Sequence, residues 1–210
     1  MLNDEKRTTE EAYTSATMSS NLRVEADRRG DADILIAAGW SKSRIGGALL
    51  RLHSEFDGAE KVRMATAADF LAGTTGKPRD RRHAAGAQAH AFNLHETGLL
   101  LQKLKSLPDV RAQLALQLTV WKVEQPEEVA VGVLRWWLSQ PCPVCKGTKY
   151  QVAEGTGRHN GKACRACQGT GLRESPHGQA GRRLANFMDD CVQRARDQIG
   201  KRLRISMDRN

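Results

Sequence analysis

Cys142-Pro143-Val144-Cys145-Lys146-Gly147-Thr148 and Cys164-Arg165-Ala166-Cys167-Gln168-Gly169-Thr170-Gly171 are two copies of one pattern, with 18 residues between Cys145 and Cys164. Each copy is a knuckle. A C-x-x-C turn presents two thiolates from one tight loop, and a glycine two positions after the second cysteine lets backbone N–H groups turn toward the sulfurs. Two knuckles at this spacing supply the four soft donors of a tetrahedral zinc site, so Cys142, Cys145, Cys164 and Cys167 are the expected ligands of one Zn²⁺. A Cys₄ set leaves no open coordination position, which makes the expected zinc structural rather than hydrolytic. Redox use of either pair is disfavoured, because no βαβ pattern surrounds them. With four thiolates available, His159 and His177 are expected to be surface histidines. Tyr150, Gln151 and Val152 form a candidate strand leaving the first knuckle, with Gly155-Thr156-Gly157 as a hairpin turn.

The flanks of this module are helical in pattern. Upstream, Gln125-Pro126 opens a helix with Glu127 and Glu128 in its first turn, an apolar face of Val129, Val133, Trp136 and Trp137, and a stop at Pro141. The Trp pair is either core or a stacking platform for bases. Downstream, Ser175-Pro176 starts a long amphipathic helix whose stripe is Leu184, Phe187, Met188, Cys191, Val192, Ala195, Ile199 and Leu203. Cys191 lies on that stripe and is expected to be a small buried hydrophobe.

Further upstream, residues 1–30 lack a steady apolar period and are expected to form a mobile N-terminal segment. Ile34, Leu35, Ala37 and Ala38, then Ile45, Ala48, Leu49, Leu52 and Phe56, predict helix, turn, helix about Gly39. Both a plain helical hairpin and a DNA-reading helix-turn-helix fit that pattern. Residues 61–71 are expected to be a short helix and residues 73–83 a basic loop in which Lys77, Arg79, Arg81 and Arg82 either meet a nucleic-acid backbone or are merely solvated. Its glycines lack the G-x-x-x-x-G-K-[ST] spacing of a phosphate-binding loop. Helices are predicted over residues 84–106 and, capped by Asp109, over 110–123, where Leu114, Leu118 and Trp121 share a face. The expected fold is therefore mainly α. It has a mobile segment 1–30, a helical domain 31–140, an inserted Cys₄ zinc module with a short β-hairpin at 141–174, and a C-terminal helix 175–210 packing on the domain.

The chain has 210 residues and a formal net charge of +9, and residues 141–210 hold 14 Lys and Arg against 6 Asp and Glu. Clustered cations of this kind predict a polyanionic partner, most simply nucleic acid. Arg158, Lys162, Arg165, Arg173, Arg182 and Arg183, on the module and the start of the following helix, are the candidate nucleic-acid contacts. Five cysteines without a signal-peptide pattern suit a metal site in a cytoplasmic protein better than a disulfide framework. No apolar run approaches the roughly 18 residues of a membrane span. No Ser/His/Asp set, paired-carboxylate motif or H-E-x-x-H occurs, so an enzyme is not expected.

The paired knuckles, ending in Cys164-Arg165-Ala166-Cys167-Gln168-Gly169-Thr170-Gly171, resemble half of the cysteine-rich region of DnaJ-type co-chaperones. The chain lacks the J-domain His-Pro-Asp and the Gly/Phe-rich linker of those proteins. Together with the segment from Asp33 to Phe56, the knuckles also resemble the late-gene antitermination protein Q family of lambda-like phages, helical proteins with an inserted zinc module. That resemblance implies a cytoplasmic protein of a bacterial host, encoded by a phage or prophage. It implies binding to double-stranded DNA near a late promoter, engagement of RNA polymerase and its sigma factor, and read-through of terminators. Cys142, Cys145, Cys164 and Cys167 carry over as zinc ligands. The DNA-contacting residues do not, because the family continues past the knuckles into several helices where this sequence shows one. The DnaJ likeness implies the alternative of a zinc-knuckle module that holds a protein partner without binding DNA.

Overall fold

The apolar stripe that ends the sequence folds as one helix, α8 (Gly178–Met207), and the core assembles on it. The computed structural model describes residues 8–20, 22, 30–39, 42–152 and 159–207. Before α8 come α1 (Thr9–Met18), α2 (Asp31–Gly39), α3 (Arg44–Gly58), α4 (Ala67–Phe70), α5 (Pro78–Gln102), α6 (Leu107–Val120) and α7 (Pro126–Leu138). Strands β1 (Tyr150–Val152) and β2 (His159–Ala163) pair antiparallel between α7 and α8. The protein is thus mainly α with a small hairpin and a long C-terminal helix, as the sequence predicts.

Leu49 and Leu52 of α3, Leu114 and Leu118 of α6, Val133 and Leu134 of α7, and Leu184, Met188 and Ile199 of α8 are almost wholly buried in one cluster. At about 1.5–3 kcal/mol for each large apolar side chain taken from water, this cluster is the main source of stability. Cys191 is buried within it, as expected, and burial pushes its thiol pKa up.

The two readings open for the Gly39 region separate here. α3 is sandwiched by α8, α6 and α1, and Leu49, Leu50, Leu52 and Phe56 face protein. Gly46 lets its backbone come against the Cys191 carbonyl of α8, where a Cβ would overlap. The turn is tied to α8 by the Lys42 and Ser43 N–H groups, which donate to Gln198 Oε1 at 2.8 and 3.3 Å. A helix so enclosed is a packing element; α2 packs on α1 and α8 rather than on α3, so the two helices meet through α8 and α1 and do not form the simple paired hairpin.

Three expectations are corrected. Within the segment expected to be mobile, residues 9–18 form α1, started by a Thr8/Glu11 capping box and held by buried Tyr13 and Ala16. Its apolar residues are too few to show a period, yet the cap motif was present. Residues 61–66 are irregular rather than helical: the Asn93 side chain takes both the N–H (2.8 Å) and C=O (2.9 Å) of Ala65, and Thr66 caps a helix that begins only at Ala67. The basic stretch from Pro78 is the first part of α5 rather than loop, since Pro78 at the first helical turn suits the fixed φ of proline.

α5 packs chiefly on α4 and the 3-10 turn Leu71–Gly73, with Phe70 and Phe92 rings 6.1 Å apart. Only its last turn, through Leu100 and Leu101, joins the main core. Most of this helix forms an arm outside the bundle.

Candidate metal centre

The two knuckles fold alike because they repeat the same backbone conformations. Lys146 and Gln168, each following the second cysteine, have φ of 50° and 51°, and Gly147 and Gly169 after them have φ of 85° and 84°. The register holds to Lys149 (71°) and Gly171 (79°). In each, a threonine three residues past the second cysteine returns its hydroxyl to that cysteine's carbonyl: Thr148 to Cys145 at 2.6 Å, Thr170 to Cys167 at 2.8 Å. The knuckles also exchange bonds reciprocally. The Cys142 N–H donates to the Gly171 carbonyl and the Cys164 N–H to the Lys149 carbonyl, both at 2.8 Å. The result is an approximate two-fold axis through the cysteine cluster.

The four sulfurs lie within 4.8 Å of one another and all four cysteines are buried. Cys145 and Cys167 sulfurs are 3.7 Å apart. A disulfide would bring them to about 2.05 Å, whereas the edge of a tetrahedron with metal–sulfur bonds of about 2.3 Å is about 3.8 Å. The cluster therefore has the dimensions of a thiolate site that can hold a metal ion. The Gly171 N–H donates to the Cys167 sulfur at 3.2 Å. Burial opposes ionisation of Cys167, but the N–H groups of Gly171 and Gly169 and the neighbouring thiols outweigh it and draw its pKa down to about 6. Burial pushes the Cys145 thiol up, and its contact with Cys167 adds to this.

The module is clamped to the helices at its neck. Pro141 and Leu172 form an antiparallel bridge, and the Arg173 N–H donates to the Gln140 carbonyl at 2.8 Å. The Arg173 guanidinium donates to the Ser139 carbonyl, while its own carbonyl accepts from Trp136 Nε1 at 2.9 Å. Trp137 is buried and donates to Asp189 of α8 at 3.0 Å. Of the two readings of the Trp pair, these contacts fit the packing one.

Among the predicted nucleic-acid contacts, Lys162 on β2 and Arg165 between the second pair of cysteines are exposed on the module. Arg182 is exposed on the first turns of α8, where Arg183 stacks its guanidinium 4.1 Å from the Trp121 ring. Arg173 is engaged in the neck, and Arg158 lies outside the described residues. Exposed Lys146 and Lys149 add cations to the module that the sequence reading did not single out, although the repeat itself marks them. His177 is exposed, and its imidazole leans over Gly132 of α7. Among the described residues, no helix is long and apolar enough to cross a membrane.

No family model matches the chain, and neither the search of curated proteins nor that of solved structures returned a match.

Proposed function

We propose that the cysteine cluster holds one structural Zn²⁺ and that the protein is a non-enzymatic transcription antitermination factor, binding promoter-proximal DNA and RNA polymerase. The observation that carries the zinc assignment is the closed, buried set of four thiols, all within 4.8 Å of one another, a donor set suited to zinc and lacking a substrate position. Nucleic-acid binding is supported by Lys146, Lys149, Lys162 and Arg165, all exposed on this small module. The antitermination step rests on the likeness of the knuckles and the Asp33–Phe56 segment to the phage Q family.

The test is transcription in vitro through an intrinsic terminator, from a template carrying late-promoter DNA of the encoding replicon, with and without zinc-loaded protein. Read-through that needs the promoter-proximal DNA is the expected result, and unchanged termination at full zinc occupancy would refute it. One observation favours the alternative of a protein-binding knuckle: Val144 is 65% exposed and Leu172 50%, both on the module surface. Under that reading Val144→Ser abolishes partner capture, and the protein shows no salt-sensitive DNA binding.

A further inference from the structure

The arm made by α4 and α5 carries a second cationic surface, well separated in sequence from the knuckles. From residue 71 to residue 95 there are four Lys and Arg, Lys77, Arg79, Arg81 and Arg82, against the single acid Asp80. Arg81 is used internally, donating to the Leu71 carbonyl at 3.0 Å and so closing the turn between α4 and α5. Lys77, Arg79 and Arg82 are exposed, and among the described residues none has an ion-pair partner. Exposed His83 and His90 continue the face begun by Arg79, at helical positions i+4 and i+11.

Asp80 is the one acid among these cations and pairs with none of them among the described residues, and they stand on a helix that leaves the bundle. α5 has 25 residues, roughly 37 Å of helix, and most of that length makes no contribution to the main core. A helix of about 10–12 Å diameter fits the major groove of B-form DNA, about 12 Å wide, where a cationic end meets phosphates on the groove rims. A chain whose zinc module is also cationic suits a polyanion long enough to reach both surfaces.

We infer that the α4–α5 arm binds the phosphate backbone of double-stranded DNA through Lys77, Arg79 and Arg82, independently of the zinc module. The inference rests on the nucleic-acid part of the function proposed above, but not on antitermination. Two variants of the full-length, zinc-loaded protein separate the cases: Lys77→Gln/Arg79→Gln/Arg82→Gln on the arm, and Lys162→Gln/Arg165→Gln on the module. Binding to a mixed-sequence duplex of about 30 base pairs is followed by fluorescence anisotropy across a salt series. With unchanged thermal unfolding, the arm variant should reduce the magnitude of the log K against log salt slope by about 2.7, about 0.9 for each phosphate no longer neutralised. A wild-type slope in the arm variant, with a reduced slope in the module variant, overturns the arm and leaves the module's DNA binding standing. Absence of DNA binding by the wild-type protein overturns both. A reduced slope in the arm variant, with no terminator read-through by the wild type, upholds the arm and refutes antitermination.

Discussion

Gly46 and Gly47 are neighbours in one helix, yet alanine at the two positions should act in opposite directions. Replacing a helix-interior glycine by alanine is worth about 1 kcal/mol through backbone entropy alone. At Gly47 a Cβ meets nothing within 4 Å, so Gly47→Ala should stabilise by about 1 kcal/mol and raise Tm by about 2–4 °C. At Gly46 the Cβ would fall on the Cys191 carbonyl oxygen, 2.8 Å from its carbon and 2.6 Å from Ser43 Oγ. The carbonyl belongs to α8 and cannot rotate aside as a side chain would. Forcing a methyl into a packed interface costs about 1–3 kcal/mol, and parting the helices also weakens the 3.2 Å bond from Ser43 Oγ to the Cys191 carbonyl, worth about 1 kcal/mol. Set against the propensity gain, Gly46→Ala should lose about 2 kcal/mol, leaving the variants about 3 kcal/mol apart. Urea unfolding of the two, compared at equal m, measures the difference. Equal shifts in the same direction would refute close backbone packing of α3 on α8.

Cys164, the most enclosed of the four thiols, gives the direct check of the metal site: Cys164→Ser should lose bound zinc and melt the module while leaving the far-ultraviolet helical signal nearly intact. Full zinc stoichiometry by atomic emission would remove Cys164 from the ligand set. Because the folded protein draws Cys167 down to about 6 from 9.0, the metal-free fold holds fewer protons than the unfolded chain between those values. Its stability should therefore rise with pH across that window and fall as pH drops toward 6. Metal binding should also release about one proton more at pH 5 than at pH 7.5, seen by calorimetry in buffers of different ionisation enthalpy; equal release would contradict the depressed thiol. Lys149 occupies the left-handed position held by Gly171 in the other knuckle, so Lys149→Gly should stabilise the loaded module by about 1 kcal/mol. Slower zinc transfer to a chelator is the expected readout, and faster transfer would count against strain at Lys149.

The knuckles were legible because chemistry fixes the spacing of thiolates around a metal more tightly than packing fixes apolar periods. The long stripe from Leu184 to Leu203 was legible for a different reason: eight apolar residues at helical spacing leave little alternative to a buried face. α1 is hard to see in the sequence because, among its described side chains, only Tyr13 and Ala16 are buried, too few to reveal a period. In residues 61–66 Val62, Met64 and Ala65 suit a helix, and the side chain that takes the Ala65 backbone groups out of one is Asn93, 28 residues away. At the free end of α5 the run of cations masks, in the sequence, a helix start that Pro78 marks. For the candidate contacts, sequence distinguished charge but not engagement. Arg173 and Arg183 are committed to a neck and to a Trp ring by residues 34 and 62 positions away, Ser139 and Trp121.

The bridge between Pro141 and Leu172 sets the module's portability. Paired antiparallel residues have Cα atoms about 5 Å apart, a gap that one or two residues can span. Everything between them could be exchanged for a tight turn or for another small domain without α7 or α8 changing position. A gene encoding the helical bundle could thus acquire, lose or swap its knuckles by a local recombination event, while the core that folds around them stays as it is.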